Sequence, residues 1–286
     1  MTEPTPVSAT VRRMLVGAQL RRLREEKGIT RAEAGYTIRA SESKMSRLEL
    51  GRVAFKERDV SDLLMLYGVT DPEERDAVLA LLEDANRPGW WREYEDVMPG
   101  WFQNYIGLEA SARILRTYET HFVPGLLQTG DYARAVLAST TPPLAGRDLD
   151  RAVTLRMTRQ KVLTRPDPLR VWAVLDEAAL RREVGSPQIH RDQLEHLLAL
   201  LERPNVALQV LPLSSGVHAG GGSFSLLRFG DPALPDVVYL EQLVSALYVD
   251  KPEHVERYTE VMDRLAVASL TPEASADFVA KLLSDG

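Results

Sequence analysis

Cysteine is absent from the 286 residues, which excludes a disulfide framework, a cysteine-based zinc site and a thiol nucleophile. Histidine is scarce, with five in all. His190 and His196 share one apolar-periodic stretch, but six residues apart they stand about 240° around a helix and cannot grip one metal. Both are read as surface residues, and the isolated His121 and His254 as structural ones. No apolar run approaches the ~20 residues that span a bilayer, and the start, MTEPTPVSATVRRML, lacks the apolar core of a signal peptide. A cytoplasmic protein with no membrane partner is therefore expected. There is no internal repeat and no low-complexity segment. What is present suits a globular chain: apolar residues make up 44%, and the length allows two domains with a sizeable core.

Acidic residues outnumber basic ones, 41 to 35, for a net charge of −6. The excess is uneven. Residues 1–70 hold 13 Lys and Arg against 9 Asp and Glu, and the remainder hold 22 against 32. A basic head on an acidic body is expected where only the head meets phosphate.

Residues 30–51, TRAEAGYTIRASESKMSRLELG, explain such a head. Thr30 followed by Glu33 is a capping box that opens a helix. Ala32, Ala34, Gly35 and Ile38 let that helix approach a neighbour closely. Arg39-Ala40 interrupts, and Ser41 is a good N-cap for a second helix. In it Met45 and Leu48 point inward, three apart, while Glu42, Ser43, Lys44 and Arg47 face out. A short helix that buries two apolar residues and displays hydrogen-bonding ones is what the major groove of DNA receives. The pattern is a helix-turn-helix. Thr30, Arg31, Ser41, Glu42, Ser43, Lys44, Ser46, Arg47 and Arg52 are the candidate DNA contacts. The Ser41-x-x-Lys44 spacing also matches penicillin-binding enzymes, but no Ser-Asp-Asn or Lys-Thr-Gly follows, and it is read as coincidence.

The run LRRLREEKGITRAEAGYTIRASESKMSRLELGR resembles the DNA-binding domain of the Cro/cI (Xre-type) repressors, through Leu20, Leu23, Gly28, Thr30, Ser41, Ser46, Glu49 and Gly51. The resemblance implies a structural ion pair between Arg24 and Glu49. It also exposes two departures. Arg31 stands where the family has a phosphate-holding Gln, and Arg39 stands where its turn has Gly, which implies a strained turn.

A mobile tail is expected over residues 1–10 and a first helix over roughly 12–27. A fourth helix carries Val60, Leu63, Leu64 and Tyr67. A fifth starts at Asp71-Pro72-Glu73-Glu74 and reaches Asn86. Five helices make a head of residues 1–88. Residues 89–107 then gather Trp90, Trp91, Tyr94, Trp101, Phe102 and Tyr105. This is either a packed hinge or the aromatic wall of a ligand pocket.

The body, residues 108–286, reads as α+β with a mostly antiparallel sheet. Helices are expected over 108–118, 131–137, 147–163 and 177–182, then from Ser186-Pro187, Pro252 and Pro272. Strands are expected at 170–175, 206–212, 223–229, 237–243 and 245–250. The blocks GLEASARILRTYETHFVPGLLQTGDYARAVL, VWAVLDEAALRREVGS, NVALQVLP, GSFSLLRF and VVYLEQL are similar to the effector region of the WhiJ-like regulators of actinobacteria, Xre-type heads on an uncharacterised, antitoxin-like domain. That resemblance implies transcriptional control, often with a small companion protein. It supplies no ligand and no catalytic residue.

Within the body, His218 lies in SSGVHAGGGSF, where three glycines allow close backbone approach, although a plain hairpin loop is the better reading, since neither a phosphate-loop Lys nor a following helix is present. Glu177 and Glu241 follow strand patterns and could flank a pocket. With Trp90, Trp91, Trp101 and Phe224 they form the candidate effector pocket. No complete catalytic set, metal cluster or cofactor motif is present, so an enzyme is not expected. Two readings remain. One is a homodimeric, sequence-specific DNA-binding regulator whose body senses a small ligand or a partner protein. The other is an antitoxin-like protein that sequesters a small partner and controls its own gene.

Overall fold

The computed structural model describes residues 8–140, 143–216, 218, 220–232 and 234–285. Side chains that cap and residues that stop divide the first part into short helices. Ser8 accepts a hydrogen bond from the Val11 amide and starts α1, Ala9–Glu26. Thr30 and Glu33 close a reciprocal capping box at α2, Arg31–Thr37. Ser41 accepts from the Lys44 amide at α3, Glu42–Glu49. Then come α4, Glu57–Leu66, and α5, Pro72–Asn86. Val16, Leu20, Met45, Leu48, Leu63, Tyr67 and Leu82 are buried together between these helices. Arg39 joins α2 to α3 with φ of 54°, the one non-glycine residue at positive φ among the described residues. Gly51, at φ 64°, ends α3 by donating its amide to the Leu48 carbonyl, as a left-handed C-terminal cap requires.

The first helix begins earlier than expected. The Ser8 amide donates to Ser111 Oγ at 2.8 Å and its hydroxyl to the Gly107 carbonyl at 2.6 Å, so the last residues of the expected tail are fixed to the body. Residues 1–7 of that tail lie outside the described residues.

A 3₁₀ helix, Trp90–Val97, leads into α6, Phe102–Ser111. The chain continues through β1, Ile114–Glu119; α7, Gly130–Ala138; α8, Gly146–Arg159; β2, Arg170–Asp176; α9, Glu177–Arg181; and α10, Pro187–Leu201. It ends with β3, Val206–Leu211; β4, Phe224–Arg228; β5, Val237–Glu241; β6, Ala246–Val249; α11, Pro252–Ala268; and α12, Pro272–Asp285. The strands form one mixed sheet in the order β3-β2-β1-β4-β5-β6. β1 pairs with β2 and β2 with β3 in parallel, whereas β1–β4, β4–β5 and β5–β6 are antiparallel. The body is α+β, and its sheet is mostly antiparallel.

Two expectations fail here. The helix read over 108–118 stops at Ser111, and its second half is β1, in the middle of the sheet. The run ARILRTYE is rich in good helix formers, but pairing on both sides overrides that local preference. The 213–223 segment is not a hairpin either, because β3 and β4 are separated in the sheet by β2 and β1. It crosses over two strands. Val217 and Ala219, within it, lie outside the described residues, as do Thr141, Pro142 and Ala233 in two other loops.

One sheet face buries Leu115, Val171, Ala173, Leu208 and Leu227 against α6, α7, α10 and α12. The other places Tyr118, Val174, Phe224 and Val238 against Val255, Met262 and Leu265 of α11. α1 takes part in both halves of the molecule. Its Val11 and Met14 join the body core, while Val16, Leu20 and Leu23 join the head core.

Candidate nucleic-acid interface

α3 is held from three sides. Met45 and Leu48 are fully buried. A Cβ on Gly17 of α1 would come within 2.6 Å of the Leu48 and Glu49 carbonyls, so only glycine lets the two helices touch there. Glu49, 3% exposed, receives Arg24 Nε on Oε1 at 2.5 Å and Arg24 Nη2 on Oε2 at 3.1 Å. The hydrogen bonds to Glu49 raise the pKa of Arg24 above its ordinary value, against the opposing cost of burial. Arg24 Nη1 also donates to the Ile29 carbonyl at 2.8 Å, which fixes the turn before α2.

Arg31 is the third member of this cluster. Its Nε donates to Glu49 Oε2 at 2.9 Å, and its side chain is 35% exposed. The rest of its guanidinium stays open to an outside acceptor. Along α3, Glu42, Ser43 and Arg47 are exposed and Ser46 is half-buried. Lys44 is half-buried, its Nζ drawn to 3.9 Å from the buried Asp59 carboxylate. Thr30 and Ser41 are exposed, but their hydroxyls are engaged as caps. Arg52 is placed differently from the other candidates. It donates to the Tyr248 carbonyl at 2.9 Å and to Asp250 at 3.0 Å, so it ties the end of the head's helical pair to β6 instead of standing free for phosphate.

The seven residues of the candidate effector pocket are not brought together. Trp91 is buried against Ile106 and Leu155, and Trp90 packs edge-on to it. The Trp101 carbonyl accepts the Tyr248 hydroxyl at 2.6 Å. His218 and Phe224 lie on the α11 face of the sheet, around Tyr118. Glu177 accepts Arg181 and the Leu213 amide, and Glu241 accepts the Tyr239 hydroxyl. Sequence spacing could not separate them, because they stand on the 3₁₀ helix, the start of α6, α9, two strands and a loop, whose mutual placement only the fold sets.

Three further polar groups, Glu109, Arg159 and Glu119, had no signal in the sequence, whereas His218 did. Glu109 of α6 and Arg159 of α8 form a bidentate pair at 2.8 Å in which both are almost fully buried. His218 Nδ1 accepts the Gly220 amide at 3.1 Å, and its Nε2 lies 3.2 Å from the Tyr118 hydroxyl and 3.9 Å from Asp176. Burial, with the charge of Glu241 adding to it, raises the Glu119 carboxyl to about 7. Among the described residues no three His, Asp or Glu side chains are placed to hold a metal ion, and no helix is long and apolar enough to cross a membrane.

A capped second helix wedged into a small helical head, with its polar side outward, defines a helix-turn-helix DNA-binding domain, here fused to an α+β body. Comparison with family models agrees: residues 15–78 match a helix-turn-helix domain, and residues 102–281 match DUF5753, a domain of unknown function. The second match spans more than half of the chain, which belongs to the DUF5753 family. No curated protein and no solved structure matches it.

Proposed function

We propose that the protein is a sequence-specific transcriptional regulator of the Xre (Cro/cI) type, WhiJ-like in organisation, acting in the cytoplasm as a homodimer on duplex DNA. The observation that carries this reading is α3, which leaves Glu42, Ser43 and Arg47 exposed while Met45, Leu48 and Glu49 lock its opposite side. Bidentate and single hydrogen bonds from such side chains read base edges. Arg31, at the start of α2, is the candidate phosphate contact, with Ser41 and Thr30 setting the helix starts. The body, residues 108–286, receives the signal as a small ligand or a partner protein. Footprinting on the region upstream of the protein's own gene tests the reading, and protection of no discrete site opposes it.

A second reading, antitoxin-like sequestration of a small companion protein, is favoured by one feature. Leu243 and Val244, between β5 and β6, are 79% and 80% exposed, and the neighbouring Leu247 is 56% exposed. Clustered exposed apolar residues mark protein contacts. A pull-down from the native host separates the two: a stoichiometric small protein supports the second, a bound metabolite the first.

A further inference from the structure

A cleft of about 220 Å³ opens where the head meets the body. Its walls come from three places: the start of α1, the strap that follows α5, and the start of α6. Arg13, Arg87 and Arg92 line it together with Glu95, Gln103 and Asn104. Arg87 is paired with Glu83 at 3.6 Å, and Glu95 lies 3.9 Å from Arg92 in an exposed pair. The volume exceeds that of a few waters and falls below that of pockets for drug-sized ligands.

Arg13 is the unusual member. Its Nη2 donates to Thr10 Oγ1 at 3.2 Å, while its Nε is buried with no hydrogen-bond partner. Among the described residues no carboxylate lies within ion-pair distance of it. A guanidinium nitrogen removed from water and left unpaired is costly, and burial lowers the pKa of Arg13 below its ordinary value. Arg13 also lines the cleft, so an acceptor placed there would meet a guanidinium that no carboxylate balances. A planar fork of donors beside a second guanidinium selects phosphate or carboxylate oxygens.

We propose that this cleft binds a small oxyanion, a phosphate or carboxylate of metabolite size, gripped by Arg13 and Arg92. Because Arg13 is on α1, one turn before the Gly17 contact with α3, an occupant bridges the body to the helix that seats the DNA-reading element. This names a ligand class for the proposed regulator, at the joint ahead of residues 108–286, and rests on that reading for its consequence on DNA. Anion binding itself is independent of it.

The test is calorimetric titration of the full chain, without DNA, with pyrophosphate and with citrate at constant ionic strength, parallel to thermal melts. Saturable binding of either anion is expected, with a melting temperature that rises with its concentration. Arg13→Gln and Arg92→Gln should each weaken binding about tenfold or more, and Arg170→Gln, on β2, should leave it unchanged. Preference between the two anions assigns the source as phosphate or carboxylate. Arg92 is 68% exposed, so its variant keeps the test valid if Arg13→Gln misfolds. Absence of saturable binding by both anions overturns the proposal, as does equal binding by both cleft variants and the parent. If anions bind but the protein holds no DNA, the regulator reading fails and the site stands.

Discussion

Glu49 ties α1 and α2 to α3. Its two oxygens take up Arg24 and Arg31, and its backbone carbonyl closes on Gly17. Removing one partner of a buried, hydrogen-bonded pair leaves the other charge uncompensated, at about 3–5 kcal/mol. Glu49→Ala is therefore expected to destabilise the head by that amount in urea melts, whereas Glu42→Ala, on the exposed side of the same helix, should cost little. Equal midpoints for the two variants would contradict the arrangement. Glu119 offers a different test. Its folded carboxyl titrates near 7 against an ordinary 4.5, so the native state holds the proton more tightly. Between these values the unfolded chain releases the proton first, and stability falls as pH rises from about 4.5 to about 7. Denaturant melts at pH 5 and pH 8 should show a smaller pH difference in Glu119→Gln than in the parent. An unchanged difference would place the carboxyl in water.

At the scale of elements, α1 is the link. One end is packed on α6 through Ser8, Thr10 and Val11, and the other supplies Arg24 to α3. A Cβ on Gly107 of α6 would fall 2.2 Å from Thr10 Oγ1. Gly107→Val should push the two helices apart, and in calorimetry the single unfolding transition expected of the parent should split into a head and a body transition. One coincident transition in the variant would show that the link lies elsewhere. The head elements were legible in the sequence because their signals are local: a capping box at Thr30 and a serine cap at Ser41. Arg39 at positive φ agrees with what the Cro/cI resemblance implied, since it stands where that turn has Gly. β1 was not legible, since its helix-favouring residues become a strand only by pairing with β2 and β4. The same reason hid the joint. Nothing near Ser8 in the sequence points to Ser111, a hundred residues away, and Arg52 reads as a DNA contact until β6 is seen beside it.

At the scale of the molecule, the head does not swing on a tether. α1 spans both cores, Arg52 is tied to Asp250, and the Tyr248 hydroxyl reaches the Trp101 carbonyl at the start of α6. Whatever the body binds can therefore act on the orientation of α3 through packed structure and needs no loose linker. The regulator reading depends on α3 reading bases. The measurement that tests it most directly is binding of the parent, Glu42→Ala and Lys44→Ala to the footprinted operator and to a scrambled duplex, over a range of salt. The account predicts a loss of about 1–3 kcal/mol on the operator and a smaller loss on the scrambled duplex, with Arg31→Ala instead weakening both and making the salt slope shallower by about one unit. Equal losses on the two duplexes for Glu42→Ala and Lys44→Ala, or no loss on either, would contradict it.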